Sequence, residues 1–493
     1  MVISNRLPVS IAKGEDGNPV ARPSSGGLVT ALRPVLARRG GSWMGWAGIC
    51  DHPEEELQGL LPNGEEEFRL RAIPLSAQER NEYYLGFSNQ VLWPLFHDFP
   101  SLTDFQPQHW ERFRSVNRKF AAHLNKAESG DSLWVHDYHL LLLGKALRLQ
   151  GYDQTTGFFL HTPFPPPDVL SELRCHKEIL EGLLSYDLVS FQTERDRRNF
   201  QNSVSDLMEP SRQGGSRVAR RPKPVIASHP ISVDFDEWSK GAAEGRVTER
   251  VREIRESLGD VSHLLLGVDR LDYTKGVPAK LRGLREALHR YPELRGNVRL
   301  VQLLIPSREG IPAYQHEKAL IERLAGEVNA EFRCPGWEPV KLIHGEWDRN
   351  ELMAHYRAAD VALVTSLRDG MNLVAKEFCA SRVEEPGSLI LSKRAGAASQ
   401  LSAGAYLVDP EDEEELAQAL RKAISAPLGE TRYRMEKMRR NVMEEDVHWW
   451  AESFLQTLWE LDRKKNQPSN LFLREAAYTT GQVPFGEIFA GGR

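Results

Sequence analysis

Short apolar runs recur along the chain, each followed by an amphipathic stretch or a polar turn. Residues 1–4, 132–135, 156–160, 188–191 and 225–229 read as strands of a first series. A helix is predicted over residues 28–36, after a Gly/Pro/Ser-rich segment that ends in Ser24-Ser25-Gly26-Gly27. The pattern then restarts. Residues 264–268, 298–304, 361–365, 388–391 and 405–408 read as strands, with helices over 276–289 and from about Leu373. Strands alternating with helical stretches imply βαβ units and parallel sheets. Two such series, broken near residues 230–238, imply an α/β fold of two doubly wound domains in tandem. Ligands of such sheets bind outside the carboxyl ends of the strands, so a cleft between the domains is the expected site.

The unusual polar clusters sit at those strand ends. In Val268-Asp269-Arg270-Leu271-Asp272-Tyr273-Thr274-Lys275-Gly276, two cations lie five positions apart in a tight loop before a helix. Arg offers a planar fork and Lys a point charge, which suits a diphosphate; the alternative is pairing with Asp269 and Asp272 on a surface loop. In Arg368-Asp369-Gly370-Met371-Asn372-Leu373-Val374-Ala375-Lys376-Glu377, a strand runs through Asp-Gly into a helix. The amides of Met371, Asn372 and Leu373 are then first-turn donors, and Gly370 permits close backbone approach. Asp369 and Glu377, about two helical turns apart, suit sugar hydroxyls; the ordinary alternative is a helix cap and a solvent-facing Glu. His161 enters a proline-stiffened loop in GFFLHTPFPPP, either as a sugar-hydroxyl donor or as a structural histidine. Tyr84 and Trp93, in YYLGFSNQVLW, suit sugar stacking or core packing. His136-Asp137 and Arg308 complete the strand-end set.

Composition removes several classes of function. The 493 residues hold 63 Lys+Arg and 69 Asp+Glu, a formal net charge of −6, with 41% hydrophobic and 27% charged residues. That is a globular composition with ample core, and it argues against a nucleic-acid binder. Cys50, Cys175, Cys334 and Cys379 are widely separated, with no CxxC pair, so neither a zinc site nor a disulfide framework is expected. The opening MVISNRLPVS lacks the charged and apolar regions of a signal peptide, and no segment reaches membrane-span length; a cytoplasmic protein with no membrane partner is expected. Residues 211–224 read as a basic surface loop, with phosphate binding as the alternative. Residues 411–420 read as an acidic helix capped by Asp409, and 466–493 as a loosely attached tail. A homo-oligomer is the general expectation for such a chain.

The segments SNRLPVS, SGGL, WMGWAG, YYLGFSNQVLWPLFH, WVHDYHL, GFFLHTPFP, YDLVSFQT, GVDRLDYTKG, PSREGIPAYQ, RDGMNLVAKE and LSKRAGAA follow one another in order. In this the chain resembles the trehalose-6-phosphate synthase family of retaining glycosyltransferases. The resemblance implies two Rossmann-like domains facing across a deep cleft, the GT-B architecture. The implied boundaries are 1–233 for an acceptor-binding domain and 234–465 for a nucleotide-sugar-binding domain whose last helix crosses back. It implies transfer of glucose from a nucleotide-diphosphate glucose (UDP-, GDP- or ADP-glucose) to glucose 6-phosphate, by a front-face mechanism without metal or other cofactor. By family position, Arg270 and Lys275 contact the diphosphate, as does the amide of Gly27, and His161 and Asp369 hold the donor glucose. The 370–374 backbone (Gly370, Met371, Asn372, Leu373, Val374) cradles sugar and phosphate, and Glu377 binds the ribose. On the acceptor side Arg6, Tyr84 and Arg308 match phosphate contacts, and Trp93 and Asp137 match sugar contacts. Residues 6–26 resemble the family's mobile lid. About 95 residues follow Ala398, too few for an appended phosphatase domain. The rival readings are glucosylglycerol-phosphate synthase, which uses glycerol 3-phosphate, and a non-catalytic relative, although Arg270, Lys275, Asp369 and Glu377 are all present.

Overall fold

Two parallel sheets organise the chain in the computed structural model, which describes residues 1–13, 18–24, 26–62, 68–125, 132–208, 223–308, 310–383 and 386–465. The first sheet contains β1 (Val2–Arg6), β4 (Ser42–Trp46), β5 (Arg69–Ala72), β6 (Leu133–His136), β7 (Thr156–Phe159), β8 (Leu188–Phe191) and β9 (Val225–Ser228). Its order is β5-β4-β1-β6-β7-β8-β9. The second contains β10 (His263–Arg270), β11 (Val298–Ile305), β12 (Val340–His344), β13 (Val361–Val364), β14 (Ser388–Ser392) and β15 (Tyr406–Val408), in the order β12-β11-β10-β13-β14-β15. Strands β6, β7, β8 and β13 are buried along their whole length, as strands covered by helices on both faces must be.

Both sheets grow outward from a first strand in one direction and then in the other. The order reverses between β1 and β6 in one sheet and between β10 and β13 in the other. Such a reversal splays the following loops apart and leaves a crevice at the carboxyl ends of the two strands. The strand ends bearing Arg6, Asp137, Arg270 and the 366–372 segment are therefore the ends that line crevices.

The chain passes twice between the sheets, and the two passes touch: the Val447 amide donates to the Val233 carbonyl at 3.0 Å, and His448 lies 3.4 Å from Asp234. The helix Val447–Lys465 then lies on the first sheet. Its Trp450 and Phe454 pack on Trp134 with ring centroids 5.0 and 4.7 Å apart, and Thr155 donates to Asp462 at 2.6 Å. Gly157 makes room for this helix, since a Cβ there would stand 2.6 Å from the Phe454 ring.

Two local expectations change. Residues 6–26 are not a plain loop: β2 (Val9–Lys13) and β3 (Pro19–Pro23) form an antiparallel hairpin, with residues 14–17 outside the described set. The acidic helix runs Glu413–Ser425 and is capped by Asp412, the residue just before it, which accepts from the Glu415 amide at 2.9 Å; Asp409 lies outside the helix and pairs with Arg394 at 2.9 Å. The basic segment is described only at residues 223 and 224, and residues 466–493 lie outside the described residues. No helix among the described residues is long and apolar enough to cross a membrane.

Candidate active site

The two crevices face each other. Contacts from one sheet's loops to the other's include His161 Nδ1 to Met371 Sδ at 3.3 Å, Arg308 to the Tyr138 hydroxyl at 3.1 Å, and Arg368 to Asp98 at 2.6 Å. Four of the five non-glycine residues with positive φ among the described residues lie along this cleft: Asp98, Asp137, Arg308 and Asn372. Strained backbone of this kind persists where surrounding structure over-determines it.

The 366–373 segment is built around one carboxylate. Asp369 accepts from Lys275 Nζ at 2.6 Å, from Asn372 Nδ2 at 3.1 Å, from the Met371 amide at 3.1 Å and from Ser366 at 3.3 Å. Burial alone would raise its pKa, but the Lys275 ammonium and these donors hold it at about 2. Asn372 caps the helix Leu373–Ser381 by accepting from the Ala375 amide at 3.2 Å. The set of open amides therefore shifts from the expected one. Met371 is satisfied by Asp369, and the first-turn amides without an intrahelical acceptor are those of Leu373 and Val374. Gly370 lies so close to the His161 carbonyl and the Thr162 backbone that no Cβ fits. Across the gap, Gly27 opens the helix Gly27–Arg39, and a Cβ there would stand 3.1 Å from Leu373. Two helix N-termini thus converge, a favourable place for an anion.

His161 is buried, and its Nε2 lies 3.0 Å from His136 Nδ1. Burial lowers its pKa to about 3, so the imidazole is neutral at physiological pH. Glu377, on the helix Leu373–Ser381, accepts from the Tyr356 hydroxyl at 2.9 Å, and burial raises its carboxyl to about 7.

The other side of the cleft is a ring of cations and aromatics. The Arg6 guanidinium sits over Trp46 at 4.6 Å and donates to Ser10 of the hairpin at 2.9 Å. Tyr84, on the π-helix Arg80–Leu92, stacks on His139 at 5.7 Å and meets Trp46 edge-on at 6.0 Å. Trp93 carries two guanidinium groups on its ring, Arg308 at 4.0 Å and Arg270 at 5.4 Å. Asp137 ends the β6 turn at φ 75° and accepts from the His161 amide at 3.3 Å; burial raises its carboxyl to about 6.

The alternative set against the diphosphate clamp, pairing of Arg270 and Lys275 with Asp269 and Asp272 on a surface loop, is met only in part. Asp269 takes neither Arg270 nor Lys275. It holds the buried Lys280 at 2.6 Å, with Gln302 closing the cluster. Asp272 is buried, not on a surface loop, and lies 3.8 Å from both Arg270 and Arg308. Tyr314, six positions after Arg308 in PSREGIPAYQ, links that pair: its hydroxyl accepts from Arg308 at 2.6 Å and donates to Asp272 at 3.3 Å. Trp46 and His139 also line the cleft; both lie inside quoted motifs, but nothing in a local run marks them as neighbours of Tyr84. Among the described residues no group of His, Cys, Asp and Glu is placed to hold a metal ion.

Comparison with known proteins agrees with this geometry. The profile of glycosyltransferase family 20 matches residues 1–460. Trehalose-6-phosphate synthases of Mycolicibacterium smegmatis and Mycobacterium marinum are each 42% identical, over 469 and 473 residues. The alignments cover 93% of this chain and 92% and 93% of theirs. Among solved structures, a UDP-forming synthase from Burkholderia xenovorans in complex with glucose-6-phosphate superposes with a TM-score of 0.82 at 33% identity, covering 93% of this chain and 99% of that one. An E. coli structure bound with UDP-2-fluoro glucose gives 0.82 at 35%, covering 93% and 98%. The GT-B arrangement of two Rossmann-like domains expected from the resemblance is thus the observed fold. With one profile spanning nearly all the described residues and relatives matched almost end to end, the chain belongs to glycosyltransferase family 20.

Proposed function

We propose that the protein transfers glucose, with retention, from UDP-glucose to glucose 6-phosphate, giving α,α-trehalose 6-phosphate and UDP. The observation that carries this reading is the gathering of two cations around one aromatic ring: Arg270, from the loop that also bears Lys275, and Arg308 both lie over the Trp93 ring. Two anionic substrates fit such a cleft. Relatives of the same fold described with glucose-6-phosphate and with UDP-2-fluoro glucose support the choice.

In this reading residues 1–233 bind the acceptor and 234–465 the nucleotide sugar. Arg270 and Lys275 take the diphosphate together with the Gly27 amide. The neutral His161 donates to a donor-sugar hydroxyl, and Asp369, the Gly370–Met371–Asn372 turn and the open amides of Leu373 and Val374 hold the glucose and its phosphate. Glu377 meets the ribose. Arg6, Tyr84 and Arg308 receive the acceptor phosphate, and Trp93 and Asp137 its sugar. Asp369 is already engaged by Lys275 and two N–H donors, which does not suit it to the role of enzymic nucleophile. A front-face transfer fits this arrangement: the acceptor hydroxyl attacks from the side of the departing diphosphate, whose oxygen receives the proton. Catalysis is then positioning plus stabilisation of leaving-group charge. The cations supply that charge, so turnover is expected to survive EDTA. We also place the protein in the cytoplasm, on its four unpaired cysteines.

Incubation with UDP-, GDP- and ADP-glucose against glucose 6-phosphate and glycerol 3-phosphate, with product identification, tests the reading. Trehalose 6-phosphate with α configuration at both anomeric carbons is expected. Turnover with glycerol 3-phosphate alone would replace it by the glucosylglycerol-phosphate activity.

A further inference from the structure

Asp272 has no place in the reaction as proposed, yet Arg270, Arg308 and Lys275 all act on its charge. It is 1% exposed. One oxygen, Oδ1, accepts from the Thr274 amide at 3.0 Å and the Thr274 hydroxyl at 2.9 Å, which fixes the plane of the group. The other, Oδ2, accepts from the Tyr314 hydroxyl at 3.3 Å and stands 3.8 Å from Arg270 and 3.8 Å from Arg308. Both guanidinium groups also lie over the Trp93 ring, at 5.4 and 4.0 Å from its centroid. The two cations therefore share one aromatic ring and one carboxylate oxygen as neighbours. Arg308 is further tied by Tyr138, which donates onward to Asn89 at 2.9 Å. Lys275 also faces Asp272 electrostatically, although its ammonium is bonded to Asp369.

We propose that Asp272 is a positioning residue for both anion-binding arginines, fixing Arg270 and Arg308 relative to each other through a shared carboxylate oxygen at the expense of affinity for each phosphate. This rests on the assignment of Arg270 to the donor diphosphate and Arg308 to the acceptor phosphate. The physical reason has two parts. A buried carboxylate beside a guanidinium competes with any arriving phosphate, so it weakens ground-state binding of both anions. The same carboxylate removes rotamer freedom from two long side chains before the substrates arrive, so the positive charge already points where the leaving group and the acceptor phosphate must lie. Tyr314 is the second strut, because its hydroxyl joins Asp272 to Arg308 but not to Arg270.

The two functions separate in kinetics. In Asp272→Asn one negative charge is lost from between two anion sites. The dissociation constants of UDP and of glucose 6-phosphate, each measured alone by calorimetry, are expected to fall about threefold or more, while kcat falls at least about tenfold. A residue that merely holds the loop together would do the opposite and weaken both ligands. Tyr314→Phe keeps the charge and cuts only the Arg308 strut. It is expected to lower kcat about threefold and to leave the UDP dissociation constant unchanged. Weaker binding of both anions in Asp272→Asn with an unaltered melting temperature would overturn the proposal, as would unchanged kcat in both variants. If Asp272→Asn does not fold, Tyr314→Phe decides alone. The wild-type protein provides the control for the underlying assignment: failure of the wild type to bind UDP and glucose 6-phosphate condemns the proposed function, whereas normal wild-type binding with unresponsive variants condemns only the role of Asp272.

Discussion

Asp137 and Glu377 are carboxyl groups that burial raises, to about 6 and about 7. An unfolded chain would release these protons near pH 4, so the folded state holds them longer; each group contributes stability at low pH that is lost as pH rises through its folded pKa. Glu377→Gln removes that loss. The variant is expected to gain stability relative to wild type between about pH 5 and about pH 8 in urea titrations, while KM for UDP-glucose rises about tenfold. A stability difference that does not change with pH would contradict the raised carboxyl. For Asp137 the expected signature is kinetic. The ratio of kcat/KM for glucose 6-phosphate in wild type to that in Asp137→Asn should rise with pH through about 6, and taking the ratio cancels the titration of the acceptor's own phosphate. The two diphosphate cations separate by burial. Lys275 is 14% exposed and neutralises a buried Asp369, so Lys275→Ala is expected to cost about 3 kcal/mol of stability as well as about a hundredfold in kcat. Arg270 is 41% exposed and approaches Asp272 only at 3.8 Å, so Arg270→Ala should lose comparable turnover with less than about 1 kcal/mol of stability.

The turn at Gly370 shows how an element, not a side chain, sets the site. The backbone there presses on the His161–Pro163 turn from the other sheet, and Gly396 packs against Gly370 from behind. Gly370→Ala drives a methyl group into the His161 carbonyl and separates the two turns. The expected result is a fall of about a hundredfold in kcat/KM with about 1–3 kcal/mol of destabilisation, read by steady-state kinetics and thermal melting. This contact also marks the limit of what the chain discloses in one dimension. Strands β6, β7, β8, β10, β11 and β13 were legible because each is an apolar run bounded by polar residues. Strands β4 (SWMGW), β5 (RLRA) and β12 (VKLIH) were not, since glycine or charged residues interrupt their apolar patterns and pairing to neighbours defines them instead. The β2–β3 hairpin was hidden by Pro19 and Pro23 at both ends of its second strand. Within the cleft, clusters local in sequence could be read directly: Arg270 with Lys275, and Asp369 with the following helix start. The Trp93–Arg308–Tyr314–Asp272 set could not, because its members come from separate elements and only the fold makes them neighbours. Placement on a strand and on the helix that follows it likewise hid Lys280 as the partner of Asp269.

At the scale of the molecule, the halves are joined by side chains across the cleft, by two adjacent backbone passes and by the helix Val447–Lys465, which covers the first sheet after the second is complete. Phe454→Ala would leave Trp134 unstacked and empty the space that Gly157 keeps open, an expected loss of about 3–5 kcal/mol in urea unfolding. Little change in that measurement would mean the helix contributes less to the first sheet than its packing implies. The position of this helix also has a consequence for biosynthesis. The first sheet is completed by β9 at Ser228, yet the helix that shields Trp134 and Phe159 is translated only at the far end of the described chain, roughly 240 residues later. At about 5–20 residues per second the ribosome needs on the order of 10–50 s to supply it. Throughout that interval Trp134 and Phe159 lack the Trp450 and Phe454 side chains that pack on them in the folded protein, so the first sheet reaches its final packing only after this late helix is made.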